Sequence, residues 1–369
     1  YNTMSKNTVG NRNTAVGTNV LASNVSGSYN VGLGYDAMLY SDGTLYNTAL
    51  GYFAMRTNTT GDYNTAVGWQ SLYSNTTGLQ NTAVGVNSLY SATVAIYNTA
   101  IGTNALYSTV GGGGNVALGY YAMYSNVSGS NNIAIGRAAL YNADNTNYNV
   151  AIGYRAMYLN TTGEYNAAVG HQALYSNTTG GSNSAFGVSA LYSNTIGGNN
   201  TAVGVNALYN NTTGGANTGV GAYALQNNTT GYQNSAFGLS ALASNTYGAG
   251  NAAFGRFALN ANTTGSSNIA MGNATLGLNT IGNYNLGFGV QALFTNVSGS
   301  NNVAVGHEAL YTADGTFYNT AIGYRAMRST TIGDLNTAIG YQTLFSNTTG
   351  TYNTAIGHQA LTTNTTGQQ

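Results

Sequence analysis

Three histidines are the residues of this chain best suited to acid–base or metal chemistry. His171, His307 and His358 occupy the same position of a tandem repeat, and the first two lie eight repeats apart. At the usual spacing of β-strands that separation is roughly 38 Å, so one chain cannot bring these two histidines into one site. In a symmetric trimer each histidine would meet its copies and form a three-histidine metal or anion site. An unpaired surface histidine is the simpler interpretation.

Other groupings capable of chemistry are incomplete. The pair His307-Glu308 has no further ligands nearby, and the glycine run 111–114 lacks the Lys-Ser/Thr that follows a phosphate-binding loop. The remaining acids stand singly, with no pair at catalytic spacing: Asp36, Asp62, Glu164 and Asp334. An enzyme needs ionisable groups that converge. We therefore predict no catalytic, cofactor-binding or metal-binding residues, no cofactor and no enzymatic activity.

Glycosylation sequons are a stronger chemical signal than the ionisable residues. The pattern Asn-x-Ser/Thr recurs in register with the repeat, and exposed turns are where glycans are attached. Glycans would also help to explain how a chain with 4% charged residues stays soluble. The alternative is that Asn-Thr-Thr-Gly is simply a favourable turn. The candidate glycosylation sites are Asn24, Asn58, Asn75, Asn126, Asn160, Asn177, Asn211, Asn228, Asn262, Asn296, Asn347 and Asn364.

The repeat itself is unusually strict. Glycine recurs at every seventeenth position from Gly17 to Gly357 without an insertion or deletion, and asparagine stands four residues before each of these glycines, from Asn13 to Asn353. Taking that asparagine as position 1, the consensus reads Asn-Thr-Ala-Val/Ile-Gly-x-x-Ala-Leu-Tyr-Ser-Asn-Thr-Thr-Gly-x-Tyr/Asn. Loops tolerate insertions cheaply, whereas stacked coils do not. Constant length therefore indicates that each residue stacks on its counterpart in the next repeat.

A repeat of this length is too short for a helical hairpin and suits a narrow coil of β-structure. We predict an all-β fold, a parallel β-solenoid or β-roll of about 21 coils. Residues 1–12 are expected to form an irregular N-terminal segment or joint, and residues 13–369 a single continuous solenoid. The sequence stops at Gln368-Gln369 after an ordinary turn, without the polar cap that solenoids need. We therefore expect either a longer array or chains that stack end to end.

One coil can be divided into a strand and two corners. The alternation in Asn-Thr-Ala-Val-Gly predicts a strand with both faces packed. The small face (Asn64, Ala66, Gly68) would lie against the opposite wall of the coil, and the Val/Ile face would meet another subunit. The segment x-x-Ala-Leu-Tyr-Ser is either a second strand or a single helical turn. Asn-Thr-Thr-Gly is predicted to turn through left-handed conformations of its Asn and Gly.

Three coils replace this last turn by a variant of equal length. It reads Asp42-Gly43-Thr44, Asp144-Asn145-Thr146 or Asp314-Gly315-Thr316. Because the glycine or asparagine has moved by one residue, we expect a different turn type in these coils.

Stacking of the coils would align identical side chains in columns. The asparagine of position 1 is expected to form an amide ladder with the next coil, although it could also be no more than a corner residue. Tyr46, Tyr63, Tyr97, Tyr148 and Tyr165 are expected to stack as aromatic columns at the edge of the core, with sugar stacking as the alternative. The structural ladder includes Asn13, Asn30, Asn47, Asn64 and Asn81, and Gly17, Gly34, Gly51, Gly68 and Gly85.

The charge of the chain restricts its partners. Charged residues make up 4%, against about 25% in typical proteins, and the net charge is +0. Nothing here favours nucleic acid, which proteins bind through clustered cations. Apolar runs are too short for membrane insertion. With Cys 0, there are no disulfides or thiolate sites.

Two strings carry a family resemblance: Asn319-Thr320-Ala321-Ile322-Gly323, and the segment 353–361 with its His-Gln-Ala-Leu ending. They resemble head repeats of trimeric autotransporter adhesins, and the fuller consensus is similar to repeats of bacteriophage tail fibres. The resemblance implies a left-handed parallel β-roll that assembles as a homotrimer. Adhesin head coils are typically shorter than the repeat of this chain, which is a departure from the family pattern.

These observations favour a non-catalytic structural fibre: the shaft or head of an extracellular filament, surface adhesin or phage tail fibre. Its location would be extracellular, at the cell surface or at the virion surface. Self-association is expected, as a homotrimer or as an end-to-end filament. The alternative is an adhesive module that binds glycans or a host or cell surface. A more remote one is ice binding by threonine columns, which Val116, Ile133, Val150 and Ala167 interrupt.

Overall fold

The computed structural model describes residues 1–367 and shows two compact units, Tyr1–Asn183 and Ser184–Gln369. Every coil from residue 13 onward contributes one short strand. The first unit contains β1 (Thr14–Thr18), β2 (Val31–Tyr35), β3 (Thr48–Leu50), β4 (Thr65–Val67), β5 (Thr82–Val84), β6 (Thr99–Ile101), β7 (Val116–Leu118), β8 (Ile133–Ile135), β9 (Val150–Ile152) and β10 (Ala167–Val169). The second contains β11 (Ser184–Phe186), β12 (Thr201–Val203), β13 (Thr218–Val220), β14 (Ser235–Phe237), β15 (Ala252–Phe254), β16 (Ile269–Met271), β17 (Leu286–Phe288), β18 (Val303–Val305), β19 (Thr320–Ile322), β20 (Thr337–Ile339) and β21 (Thr354–Ile356).

Within each unit, consecutive strands pair in parallel with equivalent positions of the repeat opposite one another. Ala49 lies opposite Ala66, and Ala66 lies opposite Ala83. Hydrogen bonding from coil to coil continues beyond the strands, as in the bond of 2.9 Å from Leu72 N to Ser88 O. These pairings confirm the predicted all-β parallel solenoid, in which each coil is one sequence repeat long.

The corner after each strand is a series of turns, so it is neither the second strand nor the helical turn that the sequence left open. In the fourth coil Gln70, Leu72 and Gln80 have φ angles of 53°, 50° and 55°, and the same positions recur with positive φ throughout the described coils. Left-handed backbone at leucine is rare because its Cβ crowds the following carbonyl. These three reversals bend the chain back on itself within one short coil.

The predicted mechanism of the Asn-Thr-Thr-Gly turn is wrong. Neither Asn75 nor Gly78 lies in the left-handed region. Gly78 is needed for space, because a Cβ there would stand 2.3 Å from Asn75 Oδ1 and 2.5 Å from Ala95 O.

The three Asp variants do contain the expected different turn. Their shifted residues Gly43, Asn145 and Gly315 have φ angles of 71°, 58° and 63°. In the ordinary Asn-Thr-Thr-Gly turn from Asn75 to Gly78, the residue at the same position of the coil does not have a positive φ.

The core consists of the small strand face and the residues at positions 8 and 9. Ala66, Ser71 and Leu72 are fully buried in the fourth coil. Packing is tight across the coil: a Cβ on Gly32 would stand 2.5 Å from Val20 Cγ1, and a Cβ on Gly287 would stand 2.5 Å from Thr275 Cγ2. The small face therefore lies inside, as predicted, whereas the Val/Ile face is half-exposed in the single chain.

Residues 1–12 contain turns and no strand, but they are hydrogen-bonded to the coil that follows. Met4 N donates to Val20 O at 2.9 Å, and Thr8 N donates to Val25 O at 3.1 Å. This segment is therefore an additional coil without a strand. A single continuous domain over 13–369 stays a prediction, because the chain divides into two units. The predicted uncapped end at Gln368-Gln369 lies outside the described residues.

Left-handed backbone at an exposed alanine gives a first testable prediction. Ala216 has a φ of 56°, a conformation that glycine adopts without a Cβ penalty. Ala216→Gly is expected to raise the free energy of unfolding by about 0.5–1 kcal/mol, in spite of the greater freedom of glycine in the unfolded chain. Ala167→Gly, in strand β10, is the matched control and should lower it by about 0.5–1 kcal/mol. Denaturant titration measures both, and a loss of stability at both sites would contradict this account.

Candidate functional site

The asparagines of position 1 form a hydrogen-bonded ladder inside each unit. Asn64 Nδ2 donates to Asn47 Oδ1 at 3.3 Å and to Gly78 O at 2.8 Å, while Asn64 Oδ1 accepts from Asn81 N at 2.9 Å and Asn81 Nδ2 at 3.1 Å. The side chain of Asn64 is fully buried. Each asparagine thus accepts hydrogen bonds from the next coil and donates one to the turn of its own coil. Neither Asp nor Ser can make this set of bonds with one side chain.

A second asparagine ladder runs through position 12, where no separate ladder was predicted. Asn75 Nδ2 donates to Asn58 Oδ1 at 2.7 Å and to Gly78 O at 3.2 Å. Within the second unit the position holds asparagine without interruption from Asn194 to Asn296. Elsewhere other residues interrupt it. Where Ala92, for example, follows Asn75, the Oδ1 of Asn75 is left without a partner.

The burial of this second ladder weighs against the predicted glycosylation, which stays a prediction. Eleven of the twelve sequon asparagines have no exposed surface, and the twelfth, Asn364, is partly buried. A glycan is attached through Nδ2, the atom that the buried asparagines use for hydrogen bonds in the interior. The sequon residues are Asn24, Asn58, Asn75, Asn126, Asn160, Asn177, Asn211, Asn228, Asn262, Asn296, Asn347 and Asn364.

The glycines of position 5 form the closest approach between coils. Gly17, Gly34, Gly51, Gly68 and Gly85 all have φ between 131° and 144°. A Cβ on Gly68 would stand 2.5 Å from Gly85 O, and the equivalent distance from Gly51 to Gly68 O is 2.3 Å. No other residue fits this column.

The most extensive aromatic column lies at position 10. Tyr73, Tyr90, Tyr107 and Tyr124 stack with centroids 5.1–5.2 Å apart, and in the first unit the column continues through Tyr158 to Tyr175. The rings are half-exposed. Face-to-face stacking at this spacing adds to burial energy. The sequence prediction concentrated on position 17 and did not identify this column.

The tyrosines predicted at position 17 stack only in part. Tyr46 and Tyr63 have centroids 5.0 Å apart, and Tyr148 and Tyr165 5.2 Å. Tyr97 lies between Gln80 and Gly114 in this column, so no ring adjoins it there.

The histidines belong to another aromatic column, at position 6. His171 stacks on Tyr154 at 5.3 Å, His307 on Tyr324 at 5.5 Å, and His358 on Tyr341 at 5.0 Å. Tyr324 and Tyr341 separate His307 from His358. A three-histidine site made from several chains stays a prediction, and within residues 1–367 no group of His, Asp and Glu is arranged to hold a metal ion.

All eight acidic residues fall in three segments that share one design. In each segment, an Asp-variant turn is followed one coil later by an acidic residue at position 16. That acidic residue accepts a hydrogen bond from the coil that contains the Asp-variant turn. Asp62 accepts from Leu45 N at 2.7 Å, Asp334 from Phe317 N at 2.7 Å, and Glu164 from Asn147 Nδ2 at 2.7 Å. Hydrogen bonds from Val25 N and Ser26 N hold the pKa of Asp42 below its ordinary value. These carboxylates therefore stabilise turns.

Arginines pair with the remaining acids at the aromatic corner. Arg325 and Arg328 contact Glu308 at 2.8 and 2.7 Å, and Arg328 also lies over the ring of Tyr311. Arg56 pairs with Asp36 at 3.3 Å in the same arrangement. Burial raises the pKa of Glu308, but the hydrogen bonds from Arg328 and Arg325 outweigh it and leave that pKa below the ordinary 4.5.

The lowered pKa of Glu308 predicts sensitivity to acid. Its contribution to stability is complete above the ordinary pKa and is lost as pH falls through the folded-state pKa. Between about pH 7 and about pH 3, the wild-type chain should therefore lose more stability than Glu308→Gln, which cannot titrate. Urea titrations at both pH values measure the difference. Equal losses in the two proteins would show that the arginine contacts do not stabilise the ionised carboxylate.

The strand face is the main apolar surface of the chain. Position 4 presents Ile101, Phe186 and Phe288 with exposures of 42%, 42% and 50%, and position 6 adds rings such as Trp69. Coil after coil repeats this pattern within both units. A continuous exposed apolar surface of this kind usually marks an interface.

These surfaces can pack and stack. The acids and arginines described above are engaged in turns and ion pairs, and the histidines stack on tyrosines. The part of the chain that the structure describes contains no helix that is long and apolar enough to cross a membrane. A comparison with protein-family models finds no match, and a comparison with curated proteins finds no similar sequence.

Proposed function

We propose that this chain is a non-catalytic structural fibre protein that assembles through its strand face, with a homotrimer as the leading assembly. It would serve as the shaft or head of an extracellular filament, a surface adhesin or a phage tail fibre, outside the cell or at a virion surface. The observation that carries the proposal is the half-exposed apolar column of position 4, which recurs in every strand.

The distribution of side chains supports this proposal. The positions that hardly vary between coils hold Asn, Ala, Gly and Leu/Met, and their side chains are engaged inside the coil. Position 4 of the strand face varies among Val, Ile, Leu, Phe and Met but stays apolar. A surface that varies in shape while remaining apolar is typical of packing against a partner. A second copy offers the same face with the same repeat length, so the two surfaces match in period.

Oligomer mass and symmetry test the proposal. Sedimentation and cryo-electron microscopy of the purified chain should show three-fold particles. The double variant Val84→Lys/Ile101→Lys should give monomers, because each lysine would bury a charge in the interface. The matched control Thr77→Lys/Val94→Lys places the same charges at the exposed turn of neighbouring coils and should leave the trimer intact. A monomeric wild type would contradict the proposal, and filaments that survive the strand-face variant would favour end-to-end assembly.

The half-exposed aromatic columns favour adhesion as a second candidate function. Tyr52 and Trp69 lie next to one another in the column of position 6, with 45% of each side chain exposed. Such rings offer exposed aromatic surface to a glycan or a host surface. A glycan array probed with the purified chain tests this candidate, and the absence of any bound glycan would count against it.

A further inference from the structure

A gap in the aromatic column of the second unit forms a groove on the surface of the coils. Position 10 carries Asn260 and Gly277 in two successive coils, followed by Phe294. The groove has a volume of about 390 Å³, and Phe257, Ala274, Leu278 and Gln291 complete its lining.

The groove retains the two contacts that a ring at Gly277 would make. Phe294 stacks on Tyr311 with ring centroids 5.4 Å apart. Its other side faces coil 16, which contains Gly277. The tyrosines of the first unit stack from coil to coil in the same way. Phe257 stands at position 7 of the preceding coil. Elsewhere an aromatic residue at that position contacts the position 10 ring of the next coil edge-on, as Phe53 contacts Tyr73 at 6.1 Å and Tyr121 contacts Tyr141 at 6.0 Å.

We propose that this groove binds the phenolic ring of a small aromatic ligand, which takes the place of the tyrosine that is missing at Gly277. The coils with a complete column show the occupant that fits, since they hold a tyrosine ring between the same two kinds of contact. The amides of Asn260 and Gln291 lie at the groove. Asn260 Nδ2 donates to Ser240 O at 2.9 Å, so a ligand hydroxyl group would pair with Asn260 Oδ1 or with the amide of Gln291.

Titration of the full chain with 4-methylphenol tests the proposal by calorimetry and ligand-observed NMR. Saturable binding is expected. The saturated analogue 4-methylcyclohexanol should bind at least fivefold more weakly, because it has no π-face for Phe294. Equal binding of the two compounds would overturn the aromatic specificity, and the absence of any binding would overturn the site.

Two variants locate the binding. Gly277→Tyr completes the column and should abolish binding, whereas Thr264→Tyr adds the same ring at an exposed turn nearby and should leave binding unchanged. A Cβ at residue 277 would stand 2.9 Å from Phe294 Cε2, so that ring must shift slightly. If Gly277→Tyr does not fold, Phe294→Ala provides the test and should weaken binding about tenfold, since it removes the stacking face. Unchanged binding in the folded variant overturns the proposal.

The same titration distinguishes a free ligand from a second copy of the chain. If a tyrosine of another copy fills the groove, the affinity for 4-methylphenol will fall as the protein concentration rises, and that result would overturn the small-ligand assignment. The site lies away from the strand face, so monomers produced by Val84→Lys/Ile101→Lys should still bind the phenol. A failure of self-association therefore leaves this proposal standing.

Discussion

Gly68→Ala should lower the free energy of unfolding by about 3–5 kcal/mol, a loss at the upper end of what single substitutions cause. Two effects combine at this residue. Its φ of 134° is strained for any residue with a Cβ, and the new Cβ would stand 2.5 Å from Gly85 O and 2.8 Å from Gly85 C. Both contacts are with backbone, so no side-chain rotation relieves them.

Gly43→Ala separates the two effects. Gly43 also has a positive φ, of 71°, but the nearest atom to the place where its Cβ would stand is Ser26 Oγ, at an ordinary contact distance of 3.6 Å. Only the backbone strain remains, and the expected loss is about 1–3 kcal/mol. Hydrogen exchange resolved by coil, together with denaturant titration, measures both variants. Because solenoid coils contact only their neighbours, the lost protection should centre on the coils beside residue 68. Equal losses for the two alanines would show that contact between coils is not what requires glycine.

Asn64→Ala should lower the free energy of unfolding by about 3–6 kcal/mol, because it removes hydrogen bonds from several buried polar groups at once. Asn81 N loses its acceptor in the interior, and Asn81 Nδ2 loses one of its two acceptors. Gly78 O loses its donor at 2.8 Å and keeps only the longer bond of 3.2 Å from Asn75 Nδ2. Asn64→Asp should be at least as harmful, because it buries a carboxylate that has no cation beside it.

The matched control is Asn75→Ala in the same coil. Asn75 is equally buried, but its Oδ1 already has no partner, and alanine occurs naturally at this position in the next coil as Ala92. The substitution removes two bonds donated by Nδ2 and should cost about 1–2 kcal/mol. Thermal unfolding of both variants measures the contrast. If Asn75→Ala were as destabilising as Asn64→Ala, coupling to both neighbouring coils would not explain why position 1 is always asparagine.

The repeat was enough to predict the coil, its parallel pairing and its buried small face. Constant spacing from Gly17 to Gly357 leaves few alternatives to stacking, and the alternation in Thr65-Ala66-Val67 assigns alanine to one face and valine to the other. These inferences rest on period and side-chain size, which are properties of the sequence alone.

The corners were misread because they depend on left-handed leucines. No propensity predicts a φ of 50° at Leu72, yet that angle decides which way the following residues point. Asn75 was therefore assigned to the surface as a sequon, whereas it lies in the core. The available signal was its recurrence at a fixed distance from the buried Leu72.

Features that involve several coils were also hidden. Asp42 and Asp62 are twenty residues apart, and their common role as turn acceptors emerges only when the coils are stacked. The groove beside Gly277 likewise exists because a ring is absent at this position. It can be recognised only by comparison with the coils in which the column holds a ring.

The asparagine ladder of position 1 also gives each unit an electrical polarity. Within a unit the Oδ1 atoms accept from the coil that follows, as Asn47 does from Asn64 and Asn64 from Asn81, so successive side-chain carbonyls point the same way. Aligned amide dipoles add along a row and polarise one another. The interior of this nearly uncharged protein therefore carries a directional field along the stacking direction, comparable in kind to that of a helix but built from side chains.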